Sequence, residues 1–333
     1  MHEFITLRGG ITVPHVSLIG ISQGYQTYPG GRIQSLEVGV LSLGVDALNQ
    51  SFSVNETHIV EANFVTGWLY KSGNIPSYSY GMHIGSAAKE ISGSLILGGY
   101  DVARVIGDVS SQTYNGTRFP IQLLDIGIGV ATGDSPWNSS SITNLLTAAN
   151  SSLQQQDAST QVLVTGTDPY LYLPQSTCDA IATHLPVSYN ASLGLYLWNT
   201  KTTQYTKIVR SPSYISLTFA ANASSTSDAK MNDTMTIKVP FVLLDLKLES
   251  PLVDESTAYF PCMGTANGGL NVLGRAFLQA AFVGVNWATK GQEQGNWFLA
   301  QAPGPGYLRG DSELNVVSIF DTKETIIGSF AQS

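Results

Sequence analysis

Charge is scarce in this chain. Lys and Arg number 16 and Asp and Glu 24 among 333 residues, 12% in all, against a usual share of about 25%. The balance is −8, with a pI near 5.0. No basic stripe is present to neutralise phosphates, which disfavours nucleic acid as a partner. Long apolar runs are missing too. None approaches the roughly 18 residues a membrane helix needs. The best stretch, Leu273 to Trp287, is interrupted by Arg275 and Gln279. Cysteine is limited to two residues, too few for a disulfide-dense scaffold or a zinc cluster. The five histidines (His2, His15, His58, His83 and His184) share no ligand spacing, so no metal and no cofactor are expected.

Hydrophobic residues make up 43% of the chain, and glycine occupies 33 positions. That supplies a sizeable core and argues against disorder. The length fits about two domains. Short strand-like runs recur between Gly, Pro, Asn and Ser: Ile11-Thr12-Val13, Ser94 to Leu97, Gln161 to Val164 and Thr236 to Val239. This is the pattern of a mainly β protein with few short helices. Three helices are expected. The first runs through Val60, Phe64 and Trp68 and stops at Gly73. A second carries Ile142, Leu145, Leu146, Ala149 and Leu153. A third carries Cys178, Ile181, Ala182 and Leu185 and stops at Pro186. A polar stretch near residues 108–120 marks a boundary, giving units 1–118 and 119–333.

Cys178 and Cys262 can form one bridge, worth about 4–5 kcal/mol in the chain-entropy model; the alternative is two buried thiols. Asn49, Asn55, Asn115, Asn138, Asn150, Asn190, Asn222 and Asn232 each open an N-x-S/T triplet. Sequons, few lysines and one possible disulfide together point to a glycoprotein of the secretory pathway or extracellular space. The start, Met1-His2-Glu3-Phe4, is no signal peptide; a missing front segment is expected.

Two motifs mislead. Gly20-Ile21-Ser22-Gln23-Gly24 matches the nucleophile elbow of α/β-hydrolases, which needs a helix after the serine. Tyr25 to Gly31, with Pro29, Gly30 and Gly31, cannot supply one. Gly127-Ile128-Gly129 misses the dinucleotide-binding spacing by one residue and is expected to be a strand-edge turn.

A further set of segments keeps a fixed order. Gly39 to Gly44 reads GVLSLG, Ile75 to Tyr80 reads IPSYSY and Gly93 to Asp101 reads GSLILGGYD. Later, Ser213 to Phe219 reads SYISLTF, Ile237 to Pro240 reads IKVP, and Val272 to Leu278 reads VLGRAFL. In this order and spacing the chain resembles the pepsin-like aspartic peptidases (peptidase A1), most closely their fungal secreted branch. The resemblance implies a bilobal β fold with an interlobe cleft for extended peptides. It also implies that this chain starts past the first-lobe aspartate and the flap hairpin, leaving the first lobe incomplete.

The family's chemistry needs one aspartate per lobe, each opening Asp-Ser/Thr-Gly. Two carboxylates about 3 Å apart share one proton, so one can activate water while the other protonates the carbonyl. Before Pro169-Tyr170-Leu171-Tyr172-Leu173-Pro174, this chain has Val164-Thr165-Gly166-Thr167-Asp168. The catalytic position falls on Val164 or Thr165, and neither is an acid. Asp168 is a weak substitute, three or four residues late. No other aspartate opens the triplet. The resemblance therefore implies aspartic endopeptidase ancestry with the proteolytic pair lost: a pseudoenzyme, expected as a monomer, binding a peptide or protein in the cleft. Two alternatives stay open: an active aspartic endopeptidase completed by an unseen N-terminal segment, and a β-rich glycoprotein that binds carbohydrate at the surface.

Overall fold

A computed structural model describes residues 2–7, 9–18, 22–36, 39–55, 58–147, 159–221, 234–265, 269–287, 295–305 and 314–319. It is mainly β, with four short α-helices among these residues.

The largest sheet has its strands in the order Thr234–Pro240, Ser213–Ala220, Phe119–Val130, Thr160–Val164, Asn271–Leu273, Leu171–Pro174 and Cys262–Thr265; Ser141–Ile142 pairs beside Phe119–Val130. Sequence alternation fixes its faces. In Ser213–Ala220, Ile215, Leu217 and Phe219 are buried while their neighbours are only partly so. In Thr234–Pro240, Met235, Ile237 and Val239 point inward while Thr234, Thr236 and Lys238 face water. Each such apolar side chain contributes about 1.5–3 kcal/mol.

A second sheet draws strands from both ends of the sequence. Ser79–His83 pairs with Ala281–Asn286, and Ile106–Thr113 pairs with Asn296–Gln301. All six residues of Ala281–Asn286 are buried, as expected of a strand covered on both faces. Val283 and Val285 enter the main core; Phe282 packs with Tyr100 and Phe298 on the other side. The sheet also seats the Gly39 to Gly44 segment. The Trp287 indole donates to the Leu43 carbonyl at 3.2 Å, and the Tyr78 hydroxyl accepts from Val45 N–H at 3.1 Å.

Two smaller four-stranded sheets complete the frame. One orders His2–Thr6, Thr12–Ser17, His58–Asn63 and Asn49–Asn55; the other orders Val187–Asn190, Leu195–Trp198, Thr257–Phe260 and Leu246–Leu248. Tyr25–Thr27 and Ile33–Ser35 form a hairpin that, among the described residues, pairs only with itself.

The first expected helix is shorter than its periodicity suggests. Val60 lies in the strand His58–Asn63, opposite Phe52, and the helix is Val65–Lys71. The β-branched pair Ile59-Val60 favours a strand, so the four-residue spacing across Val60 was coincidental. Gly73 does end the helix. With φ +73 it donates to Tyr70 O, and Asn74 N–H donates to Leu69 O, a complete Schellman motif.

The Ile142 stripe is not a helix where it can be seen. Ile142 pairs with Ile128, Asn144 takes φ +61, and Leu145 N–H donates to Ile126 O. The segment runs beside the central strand instead, and its tertiary pairing overrides the periodicity. Ala149 and Leu153 lie outside the described residues. Gly127-Ile128-Gly129 is likewise not a turn; it sits inside Phe119–Val130. A Cβ on Gly127 would come within 2.7 Å of Ile142 O, and one on Gly129 within 2.7 Å of the Tyr214 hydroxyl. Close approach of neighbouring strands is what these glycines serve.

The third helix is Gln175–Ala182. It carries Cys178, bridged to Cys262 with Cα atoms 5.8 Å apart, and so staples to the sheet. Ser22 is exposed and leads into the strand Tyr25–Thr27 rather than a helix.

Candidate functional site

The strand Thr160–Val164 ends in the core. Alternation turns Val162 and Val164 inward, and Val164 is only 3% exposed. Thr165 is the first residue of the loop that follows, and only partly buried. Of the two candidate positions, Val164 is therefore a core residue and Thr165 is the one placed in a loop.

Asn271–Leu273 holds that loop from below. It pairs in parallel with Thr160–Val164 and antiparallel with Leu171–Pro174. The chain enters along one side of this strand and leaves along the other, with residues 165–170 forming the bend. Thr165 N–H donates to Leu273 O at 3.2 Å. Gly274 N–H donates to Tyr170 O, Arg275 N–H to Asp168 O at 2.7 Å, and Ala276 N–H to Pro169 O. The first amides of Arg275–Leu278 thus find acceptors in the loop. Gly274 must lack a side chain, since a Cβ would sit 2.2 Å from Asp168 O. The Arg275 guanidinium reaches over the bend and donates to Gly166 O at 3.1 Å and Thr167 O at 2.7 Å.

Inside the bend, Thr167 N–H donates to Thr165 Oγ1 at 3.2 Å, and the two threonine hydroxyls lie 2.8 Å apart. This is the hydroxyl counterpart of an Asx turn. An aspartate at 165 would offer a carboxylate to the same amide; the threonine offers a neutral hydroxyl. Asp168 accepts from Thr167 Oγ1 at 3.0 Å. Gly166 and Thr167 are exposed. The arrangement can present backbone groups and hydroxyls to a ligand, but no carboxylate sits at Thr165.

Aromatic side chains wall the far end of the bend. Tyr170 packs edge-on against Tyr259 at 5.9 Å and beside Tyr172 at 5.8 Å. Burial pushes the Tyr170, Tyr172 and Tyr259 phenols up. The nearby Asp168 charge adds to the shift at Tyr172. The Arg275 clamp and the tyrosine wall escaped the sequence reading. Arg275 stood in the VLGRAFL segment, but nothing in its spacing revealed where its guanidinium would reach.

Among the described residues, no three His, Cys, Asp or Glu side chains gather to hold a metal. His83 is buried, with Nε2 on the Gln279 carbonyl; His184 follows the helix Gln175–Ala182. His2, His15 and His58 lie in strands. Of the sequons, Asn115 and Asn138 are exposed. Asn49 is partly buried at the start of its strand, and Asn55 closes the same strand. Asn190 is partly buried, its Oδ1 accepting from Ser192 and Leu193. Asn150, Asn222 and Asn232 lie outside the described residues. No helix is long and apolar enough to cross a membrane among the described residues.

A family model for eukaryotic aspartyl protease matches residues 8–293. No curated protein matches the chain.

Proposed function

Because the chain belongs to the eukaryotic aspartyl protease family, we propose that it is a catalytically inactive member that binds an extended peptide or protein segment in its interlobe cleft. One observation carries this reading: a threonine turn, Thr165 to Thr167, occupies the bend that precedes Tyr170-Leu171-Tyr172-Leu173-Pro174. No Asp-Ser-Gly or Asp-Thr-Gly triplet occurs in the sequence. Proton sharing needs two carboxylates; at the bend Asp168 offers one, and it accepts from Thr167. Peptide binding needs neither acid. It uses backbone hydrogen bonds and side-chain pockets; the Gly166 and Thr167 carbonyls, each with one lone pair on Arg275, keep a second for a ligand beside the tyrosine wall.

The same reading divides the chain into the remainder of a first lobe, 1–118, and a second lobe, 119–333, in a monomer. It assigns the chain to the secretory pathway, where the Cys178–Cys262 bridge would persist. It makes Asn115 and Asn138 the best placed glycan acceptors among the described sequons.

The test is turnover and binding of a fluorogenic peptide library from pH 3 to 7 on protein that unfolds cooperatively. Binding without turnover is expected. Turnover abolished by a statine-type inhibitor would overturn the reading and turn attention to Asp168 as the acid.

A further inference from the structure

The hairpin of Tyr25–Thr27 and Ile33–Ser35 is joined to its surroundings in an unusual way. Among the described residues it pairs with no other strand, and an isolated two-stranded hairpin is marginal in water. Its own surface is solvated: Tyr25 is 47% and Ile33 49% exposed. Within residues 22–36 only Tyr28 is buried. Its order therefore depends on where Tyr28 goes.

Tyr28 goes to the end of the Thr165 bend. Its hydroxyl meets the Tyr170 hydroxyl at 2.8 Å, 142 positions along the chain. Its ring joins a cluster with Tyr170, Leu193, Leu195, Leu248, Leu252 and Tyr259. Two backbone contacts hold the tip. Gly30 N–H donates to Ser192 O at 2.7 Å, and the Arg32 guanidinium donates to Leu252 O. The fit at Gly30 leaves no space, since a Cβ there would lie 2.6 Å from Ser192 Cβ and 2.7 Å from Ser192 O. Pro29 packs 3.1 Å from the position a Cβ on Gly194 would take.

One buried aromatic, one amide on a carbonyl and one arginine on a carbonyl are the contacts by which an extended peptide would dock. We propose that the hairpin is a self-ligand: it occupies the tyrosine-lined bed beside the Thr165 bend, and an outside peptide binds there only when the hairpin lifts away. This rests on the peptide-binding reading above and adds its regulation and a preference for an aromatic side chain followed by a turn. With a single buried side chain as anchor, the hairpin's departure uncovers this smaller cluster and leaves the main core closed.

The probe is a fluorescein-labelled peptide of residues 24–36, titrated into the full chain. Four proteins are compared: wild type, Tyr28→Ala, Gly30→Val, and the oxidised Gly30→Cys/Ser192→Cys pair. In that pair the Cβ atoms need to part by only about an ångström to reach disulfide spacing. The two opened variants should bind the probe at least tenfold more tightly than wild type. The oxidised pair should not bind it until reduced. A probe with alanine at position 28 should bind none of them.

Equal probe affinity for all four proteins would overturn the proposal. If library peptides then still bind all four alike, the peptide-binding reading stands without its self-ligand. If the probe follows the expected order but library peptides bind none of the four, the bed is a self-docking site alone, and it is the peptide-binding reading that falls.

Discussion

The hydroxyl of Thr165 accepts the backbone N–H of Thr167 at 3.2 Å. An aspartate in this place would make the same turn with a charged acceptor. Thr165→Asp should therefore fold, with stability within about 1 kcal/mol of wild type, since one hydrogen bond replaces another. It should still fail to cleave peptides, because one carboxylate has no partner with which to share a proton. Urea unfolding and the fluorogenic library check both halves. Turnover by this variant would mean that a second acid stands within reach.

Arg275 fixes the bend from outside by donating to the carbonyls of Gly166 and Thr167. Hydrogen bonds from a charged donor are worth about 1.5–3 kcal/mol where water is excluded. This guanidinium is exposed, so Arg275→Ala should cost only about 1–2 kcal/mol, lowering Tm by several degrees. Both bonds come from one nitrogen, Nη1, so Arg275→Lys, whose ammonium carries three donors, should recover part of the loss. Peptide affinity should fall with the alanine variant even at temperatures where it stays folded, since the bend would lose its fixed shape.

Local pattern and tertiary pairing separate what the sequence discloses from what it hides. The strands Ser94–Leu97, Thr160–Val164 and Thr234–Pro240 were legible because their alternation or short apolar runs are local. The helix Gln175–Ala182 was legible for the same reason; its bridge to Cys262 was one of two open readings because the chain holds just two cysteines. Val60 and Ile142 misled because both lie in strands whose partners, Phe52 and Ile128, are fixed by the fold. The loop from Thr165 to Asp168 could be located by its motif neighbours. Its clamp by Arg275, 108 residues from Thr167, and the contact of the adjoining Tyr170 with Tyr28 are long-range. No periodicity carries them.

His83 makes stability depend on pH. Burial holds its imidazole below its ordinary range; the hydrogen bond to Gln279 opposes this, and the Arg104 charge reinforces it. The folded state therefore resists protonation while the unfolded chain accepts it near pH 6.5. Stability is full above that value. It is lost as pH falls through about 6.5 toward the lower folded pKa, because there the unfolded state binds more protons. The urea midpoint should drop between pH 7.5 and 5.5. His83→Gln, which can keep a donor toward Gln279, should flatten that drop. An unchanged slope in the variant would assign the pH dependence to another group.

The Cys178–Cys262 bridge ties the helix Gln175–Ala182 to the last strand of the main sheet. Among the described residues Cys262–Thr265 pairs on one side only, in parallel with Leu171–Pro174, which continues directly from Tyr170. The helix has a second tether: Gln175 Nε2 donates to the Tyr196 hydroxyl at 2.7 Å, and Tyr196 donates to Asp179 at 2.5 Å. The strand's own side-chain link is longer, from the Thr265 hydroxyl to Asn271 Oδ1 at 3.3 Å, so loss of the bridge should loosen the strand before the helix. Both sulfurs are buried, so mild reductant should act slowly on folded protein. The Cys178→Ala/Cys262→Ala variant gives the cleaner measurement. Its stability should fall by about 2–5 kcal/mol, because the unbridged chain regains the freedom of an 84-residue loop. Hydrogen exchange should rise first at Cys262–Thr265 and Leu171–Pro174, and peptide affinity should fall with it. If exchange rises first in the helix instead, the tether through Tyr196 is weaker than its geometry implies.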